Sequence, residues 1–476
     1  MPPAALVALA TLAAAAAAAA PALGEPGGYW WPRARGHVGK YGTSELPGPK
    51  NLTAQLAWKW QHPELGIVTG ALLDDQRNIY VSAVDGIRKF SPDGNQLWQW
   101  QGDQVTHVPS LVDGALFGAT LNGFMFKLSM ETGQDIWSRR HTEFAEQDTA
   151  YVEVSDGVVL AAFARDRSTP WGNRRIVAAN ATDGSKLWEF VSDTVLWNFQ
   201  PQFPDDGTFI VMDIHGGLRR LSVLAGDQVA YVPPPESWML NGFTDGGVIL
   251  GPGGKTAYTC SNMLFPFPNS NGALRAYRVS DLQLLWQVVL PQPCVTWPAS
   301  DGHNVVVPVG GLPESFPPYM QVKWLPGVIR DLVLTFDNWL GDIAFFHRSS
   351  SPMLFLAFDA ETGAPRWTYD RIKPWPRICS RGDEAHFIRR TVRWPSRPVC
   401  GPASWSAVTI SGDGTAYAAA MNGVLYAIRD ANSDGVIDDS EVSMIDVGDA
   451  SLHQGQSFAP GMMTHATCAG VYVFRT

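Results

Sequence analysis

Positive charge is in short supply: 35 Lys and Arg stand against 45 Asp and Glu, for a formal net charge of −10. That balance argues against nucleic acid or an anionic membrane surface as the default partner. Cysteines are few, five in 476 residues, with no adjacent pair and no C-x-x-C. There is also no H-E-x-x-H, no G-x-S-x-G elbow and no P-loop, so the common metalloprotease, hydrolase and nucleotide templates are missing. The ten histidines are scattered. After the first 25 or so residues no stretch is apolar enough to span a membrane.

Tryptophan and glycine are abundant instead, 19 and 46 residues, a pairing that points to tight turns and aromatic packing in a β-protein. The N-terminus, "MPPAALVALATLAAAAAAAAPALGEPGG", reads as a secretory signal over 1–22 with an A-x-A site at Ala20 to Ala22, although a basic start is missing. The alternative is an anchoring helix. Residues 23–50 read as an N-terminal extension. Sequons at Asn51 and Asn180 fit a secreted glycoprotein. In an oxidising compartment five cysteines allow two disulfides. Cys379 with Cys400 and Cys260 with Cys294 are the expected pairs, leaving Cys468 free.

An internal repeat organises the rest. "GFMFKLSMETGQDIW" (123–137), "RIVAANATDGSKLW" (175–188), "GALRAYRVSDLQLLW" (272–286) and "MLFLAFDAETGAPRW" (353–367) each give an apolar strand, a tight polar turn and a strand carrying Trp. "DGIRKFSPDGNQLW" (85–98) is a shortened copy, and "GGLRRLSVLAGDQVAY" (216–231) is a degenerate one ending in Tyr231. A further strand pair precedes each, so one unit is four short antiparallel strands, a propeller blade. Seven outer strands follow in order. The C-terminal "THATCAGVYVFRT" lacks its own, and "QLAWKWQ" (55–61) is free to supply it. The expectation is an all-β, eight-bladed propeller over 51–476, closed by pairing the two ends of the chain.

The pattern A-x-D-x-x-T-G-x-x-x-W, best kept in "AFDAETGAPRW", resembles the repeat of the quinoprotein (PQQ-repeat) propeller superfamily. That resemblance implies the fold over nearly all of 51–476. It implies less about function, because the superfamily spans alcohol dehydrogenases and bacterial outer-membrane assembly lipoproteins. Its dehydrogenases stack a quinone on a Trp against a disulfide between adjacent cysteines, with calcium at the quinone. This chain has no such cysteine pair, so PQQ is not expected, and a non-dehydrogenase member is the reading adopted. A PQQ-dependent oxidoreductase is the alternative.

One turn departs from the repeat. "DANSDGVIDDSE" (430–441) fits D-x-[DN]-x-[DN]-G-x5-E between the last two strands of blade 7. Asp430, Asn432, Asp434 and Glu441 offer side-chain oxygens, Val436 its carbonyl, and Asp438 a direct or water-bridged oxygen. Hard oxygen ligands at this spacing suit Ca2+. With no helix pair to swing, such an ion would be structural.

The larger departures are expected on one face, after second strands and between blades. They include the inserts 311–351 and 369–405. The second is rich in arginine, Arg389, Arg390 and Arg393 among them, and is expected to grip an acidic glycan or a protein partner. Trp197, Trp238, Trp297 and Trp405 each fall near the start of an innermost strand, where they are expected to ring the funnel mouth. Within 311–351, Ile329, Leu332, Phe336, Trp339, Ile343 and Phe346 recur at helical spacing and are expected to pack on the propeller as a cap. The expected function is a secreted, non-catalytic binding or scaffolding module.

Overall fold

The structure, a computed structural model, describes residues 28–476 except 64–67, 103–104, 106–107, 144–150, 165–172, 235–243, 245–246, 263–270, 312–324, 337–350, 376, 378, 385–404 and 452–453. The repeats fold into eight antiparallel blades, at 68–100, 110–140, 153–191, 202–232, 248–290, 299–372, 409–446 and 457–475. Blade 2 is typical, running outward as Ser110–Val112, Ala115–Ala119, Phe124–Ser129 and Asp135–Arg140. Blade 4 has three full strands, and Gln202 bridges Ile210 in place of its innermost one.

The last blade closes the ring as the sequence predicts. Leu56–Gln61 lies antiparallel to Gly470–Arg475, with Lys59 opposite Tyr472 and Trp60 opposite Val471. Inner strands are buried on both faces because each blade is sandwiched between two others. Every residue of Val68–Leu73 and Ile79–Ala83 is enclosed, whereas Gln96–Trp100 at the rim is partly exposed.

The recurring turn and tryptophan of the repeat join one blade to the next. Trp98 on the outer strand of blade 1 donates its Nε1–H to the Met130 carbonyl of blade 2 at 3.1 Å. Its ring covers Gly133, where a Cβ would come within 2.8 Å of the indole. Gly133 also has φ 71°, which few side-chain-bearing residues adopt. The arrangement recurs with Trp58 and Pro92, Trp137 and Ala181, Trp188 and Val223, and Trp286 and Ala360. Blade 4 offers Tyr231 instead of Trp, and the facing turn of blade 5 has Leu282 at φ 56° instead of Gly. The two departures sit at the same joint.

The extension before the first strand is part of the fold. Trp31 exchanges backbone hydrogen bonds with Leu73 of blade 1, and the Pro32 carbonyl accepts from Leu111 N–H of blade 2. Arg33 meets Glu153 of blade 3, Tyr41 Oη accepts from Phe203 N–H of blade 4, and Lys40–Tyr41 lies against Val248–Leu250 of blade 5. Arg35 donates to Pro298 at the start of blade 6, Gly42 and Ser44 bracket Ile410 of blade 7, and Trp31 packs on Phe458 of blade 8. These contacts fall where the innermost strands reach the short turns. The segment therefore closes that end of the central channel and touches all eight blades.

Candidate functional site

Beyond this seal, described side chains meet inside the channel. Tyr151 of blade 3 and Trp297 at the entry to blade 6 meet edge to face across the axis, with ring centroids 6.0 Å apart. They share a core with Val108, Ala407 and Ala34, so residues from distant parts of the chain converge on the axis. Trp297 is 1% exposed.

Trp405 is equally enclosed. It wedges between blades 6 and 7 against Phe355 and Tyr426, and its Nε1–H donates to the Val309 carbonyl at 3.2 Å. Trp197 is half-buried in the crossing between blades 3 and 4. Trp238 lies outside the described residues. Neither Trp297 nor Trp405 therefore presents an open ring at a mouth. The start of an innermost strand is a core position, where an indole gains more by packing than by exposure.

Between second and third strands and between blades lie the long connections, including 311–351 and 369–405, and they share the face opposite the N-terminal seal. Here the expected cap needs correction. The helix spans Gly327–Thr335, yet Ile329, Leu332 and Phe336 are exposed and Leu334 is the buried member. The helix thus turns Leu334, not the expected apolar stripe, inward. Trp339, Ile343 and Phe346 lie outside the described residues.

Of the arginines in the 369–405 connection, Arg371, Arg377 and Arg381 are described. Arg371 pairs with Asp439 and donates to the Ile437 carbonyl, and Arg381 pairs with Asp446. Both answer the chain's own surplus of carboxylates. Arg389, Arg390 and Arg393 lie outside the described residues.

The 430–441 turn is wound tightly by its own side chains. Asp430 Oδ2 accepts from Gly435 N–H, Asn432 Oδ1 from Asp434 N–H, and Asp434 Oδ1 from Val436 N–H. Glu441 accepts from Ala431 and Asp438 N–H, which holds its carboxyl below the usual range. Asp430 Oδ1 is buried with no hydrogen-bond partner. A buried carboxylate oxygen without a donor is what a cation would satisfy. Among the described residues no three His, Cys, Asp or Glu side chains converge on one point.

Cys260 and Cys294 form the expected disulfide. The other expectation is reversed: Cys468 is disulfide-bonded and Cys379 is a free, buried thiol, its pKa pushed up to about 12 by that burial. Cys400 lies outside the described residues. Cys379 and Cys400 bracket one loop in the sequence, but bonding follows which side chains the fold brings together.

Residues 78–233 match the PQQ_2 family model, described as outer membrane protein assembly factor BamB. The match covers those residues, and the chain as a whole has an eight-bladed propeller fold. Among solved structures this propeller is similar to a europium-containing methanol dehydrogenase, with 13% identity, 95% of this chain and 98% of that one covered, and a TM-score of 0.59. It is similar to the quinohemoprotein alcohol dehydrogenase of Comamonas testosteroni, with 11% identity, coverage of 94% and 80%, and a TM-score of 0.58. It is also similar to BamB of Moraxella catarrhalis, with 12% identity, coverage of 88% and 100%, and a TM-score of 0.51. At these identities the likeness is one of fold. No curated protein matches the sequence.

The fold brings a quinone into question, and the described residues do not fit one in the manner the resemblance implies. Cys260 and Cys294 are 34 residues apart and tie the second strand of blade 5 to the crossing into blade 6. The axial indole meets Tyr151 edge to face, so this pair does not offer the flat platform on which a planar ring stacks.

Proposed function

We propose that this propeller is a non-catalytic binding or scaffolding module that meets a protein partner through its long-loop face. The observation that carries the reading is the closed axis: the N-terminal segment covers one end and Tyr151 with Trp297 occupies the interior. The irregular surface is then the opposite face, where loops on a rigid ring are free to vary. A protein is preferred to an acidic glycan because Arg371 and Arg381 are already neutralised by Asp439 and Asp446. The fold match to an outer membrane protein assembly factor is in keeping with a scaffold. The two bonded cysteine sites favour an oxidising, secretory-pathway location. Calcium is proposed to bind Asp430, Asn432, Asp434, Val436, Asp438 and Glu441 and to stiffen the blade 7 turn. Among the described residues no helix is long and apolar enough to cross a membrane.

The test has two arms. Titration with PQQ, followed by tryptophan fluorescence and dye reduction, is expected to give neither saturation nor turnover. Saturable binding with dye reduction replaces the scaffold by a quinoprotein oxidoreductase. Photo-crosslinkers at exposed Lys373 on the long-loop face and exposed Glu131 on the short-turn face are then compared in secreting cells. Discrete adducts from Lys373 alone support the reading, and equal labelling from both sites overturns it.

A further inference from the structure

Two asparagines use only half of their side chains to hold the fold. In blade 6 the residue that ends the third strand closes the turn with a carboxylate. Asp359 Oδ1 accepts from Glu361 and Thr362 N–H, and its Oδ2 pairs with Arg366. Blade 3 has Asn180 at that place, ending Arg175–Asn180. Its Oδ1 accepts from Thr182 N–H at 2.8 Å and so does the structural part of the carboxylate's work. Asn51 is used in the same way at a helix start. It caps Leu52–Gln55, with Oδ1 accepting from Ala54 N–H at 2.9 Å. Among the described residues neither Nδ2 has a hydrogen-bond partner. Asn51 is exposed and Asn180 half-buried, and neither free nitrogen is enclosed.

Each of these asparagines begins an N-x-T sequon, completed by Thr53 and Thr182, and both threonines are exposed. The two sites also share one face of the ring. Asn180 lies where the third strand of blade 3 turns into the fourth, Lys186–Val191. Leu52, next to Asn51, donates its N–H to Ser443 Oγ at the start of the outer strand of blade 7. A few residues on, Leu56 lies opposite Phe474, near the end of the third strand of blade 8. These are short-turn positions, on the side that the N-terminal segment seals. The long connections of the other face hold asparagines as well, Asn241, Asn269 and Asn338 among them, and none of these begins a sequon.

We propose that Asn51 and Asn180 are both N-glycosylated, and that the two glycans stand on the short-turn face and leave the long-loop face bare. The inference rests on the secretory-pathway location proposed above. The co-reactant is a polyprenyl-diphosphate oligosaccharide. Nδ2 bonds to C1 of its first sugar, the C1–O bond to phosphate breaks, the amide gives up one proton, and the lipid diphosphate leaves. One N–H and Oδ1 remain, so the bonds from Ala54 and Thr182 survive the modification. A bulky, solvated group at each site discourages protein contact there. The Asn51 glycan also stands beside Leu56–Gln61, the outermost strand of blade 8, whose free edge is otherwise open to pairing with another chain.

The decisive experiment expresses the whole chain, with its own N-terminus, in a eukaryotic secreting cell. N-glycans are removed enzymatically in heavy-oxygen water, which leaves labelled aspartate at each occupied asparagine, and the peptides are mapped. Label at 51 and 180 is expected. Thr53→Ala and Thr182→Ala destroy the sequons but keep both asparagine side chains in their turns, and each variant should run one glycan lighter on a denaturing gel. A chain recovered from the medium with its Cys260–Cys294 bond formed, but with Asn51 or Asn180 unmodified, overturns the proposal and leaves the scaffold reading intact. A chain that never enters the secretory pathway overturns the location and the modification together. If either threonine variant is not secreted, the peptide map of the wild type decides alone.

Discussion

His465 is wholly enclosed in blade 8, its Nδ1 3.2 Å from Gln456 Nε2 and its Nε2 2.8 Å from Ser451 Oγ. An amide nitrogen only donates, so Nδ1 accepts and the ring proton sits on Nε2, donated to the serine. Burial pushes the imidazole pKa down to about 3. In the unfolded chain it titrates near ~6.5, so between these values the unfolded state holds the extra proton and stability falls as pH drops. His465→Gln should flatten that acid limb. Unfolding midpoints of variant and wild type, followed downward from about pH 7, check this, and parallel curves would assign the limb to other groups. Glu441 needs a different treatment because it holds the turn through Ala431 and Asp438 with or without an ion. Glu441→Ala should therefore destabilise even in chelator. Asp430→Asn is the cleaner probe, since Oδ1 has no protein donor to lose. Chelation is expected to lower the wild-type midpoint modestly and to leave Asp430→Asn unmoved; a wild type indifferent to chelator removes calcium from the turn.

Among elements, the N-terminal segment matters most to the channel. Its Arg33–Glu153 pair is almost fully enclosed, and Glu153 also lies 3.4 Å from Ser110 Oγ. Glu153→Ala leaves a buried guanidinium without its anion, a change that costs ~3–5 kcal/mol. The double variant Arg33→Met/Glu153→Met should recover much of that loss, as equilibrium denaturation in a mutant cycle would show. Gly48→Ala tests the seal itself, because its Cβ would stand 2.1 Å from Tyr417 Oη, which donates to the Pro49 carbonyl. Faster amide exchange in the segment than in the blades is the expected result. None of this was legible in the sequence. Residues 23–50 carry no repeat period, and their partners lie as far off as Phe458. The helix at 327–335 teaches the same at smaller scale: its helical spacing was readable, but which side it buries was not, and Leu334 rather than Leu332 faces in.

For the whole molecule, closure is the cooperative step. Leu56–Gln61 supplies the outer strand that the last blade lacks. A chain beginning at His62 should expose the Gly470–Arg475 edge, lose its single unfolding transition and associate, as light scattering after size exclusion would register. A truncated chain that stays monomeric and melts in one step would show that the other blades hold the ring alone. By itself the sequence determined the blade count, the recurring turn and tryptophan of each blade, and the closing strand. Those follow from local periodicity: strand, turn and tryptophan recur at fixed spacing, and a tight turn needs particular residues wherever it falls. Only the tertiary structure decided what fills the axis, which cysteine stays free and which tryptophans become core. The channel is where all eight blades meet, so its lining joins residues such as Ala34, Tyr151, Trp297 and Ala407 that no local pattern connects.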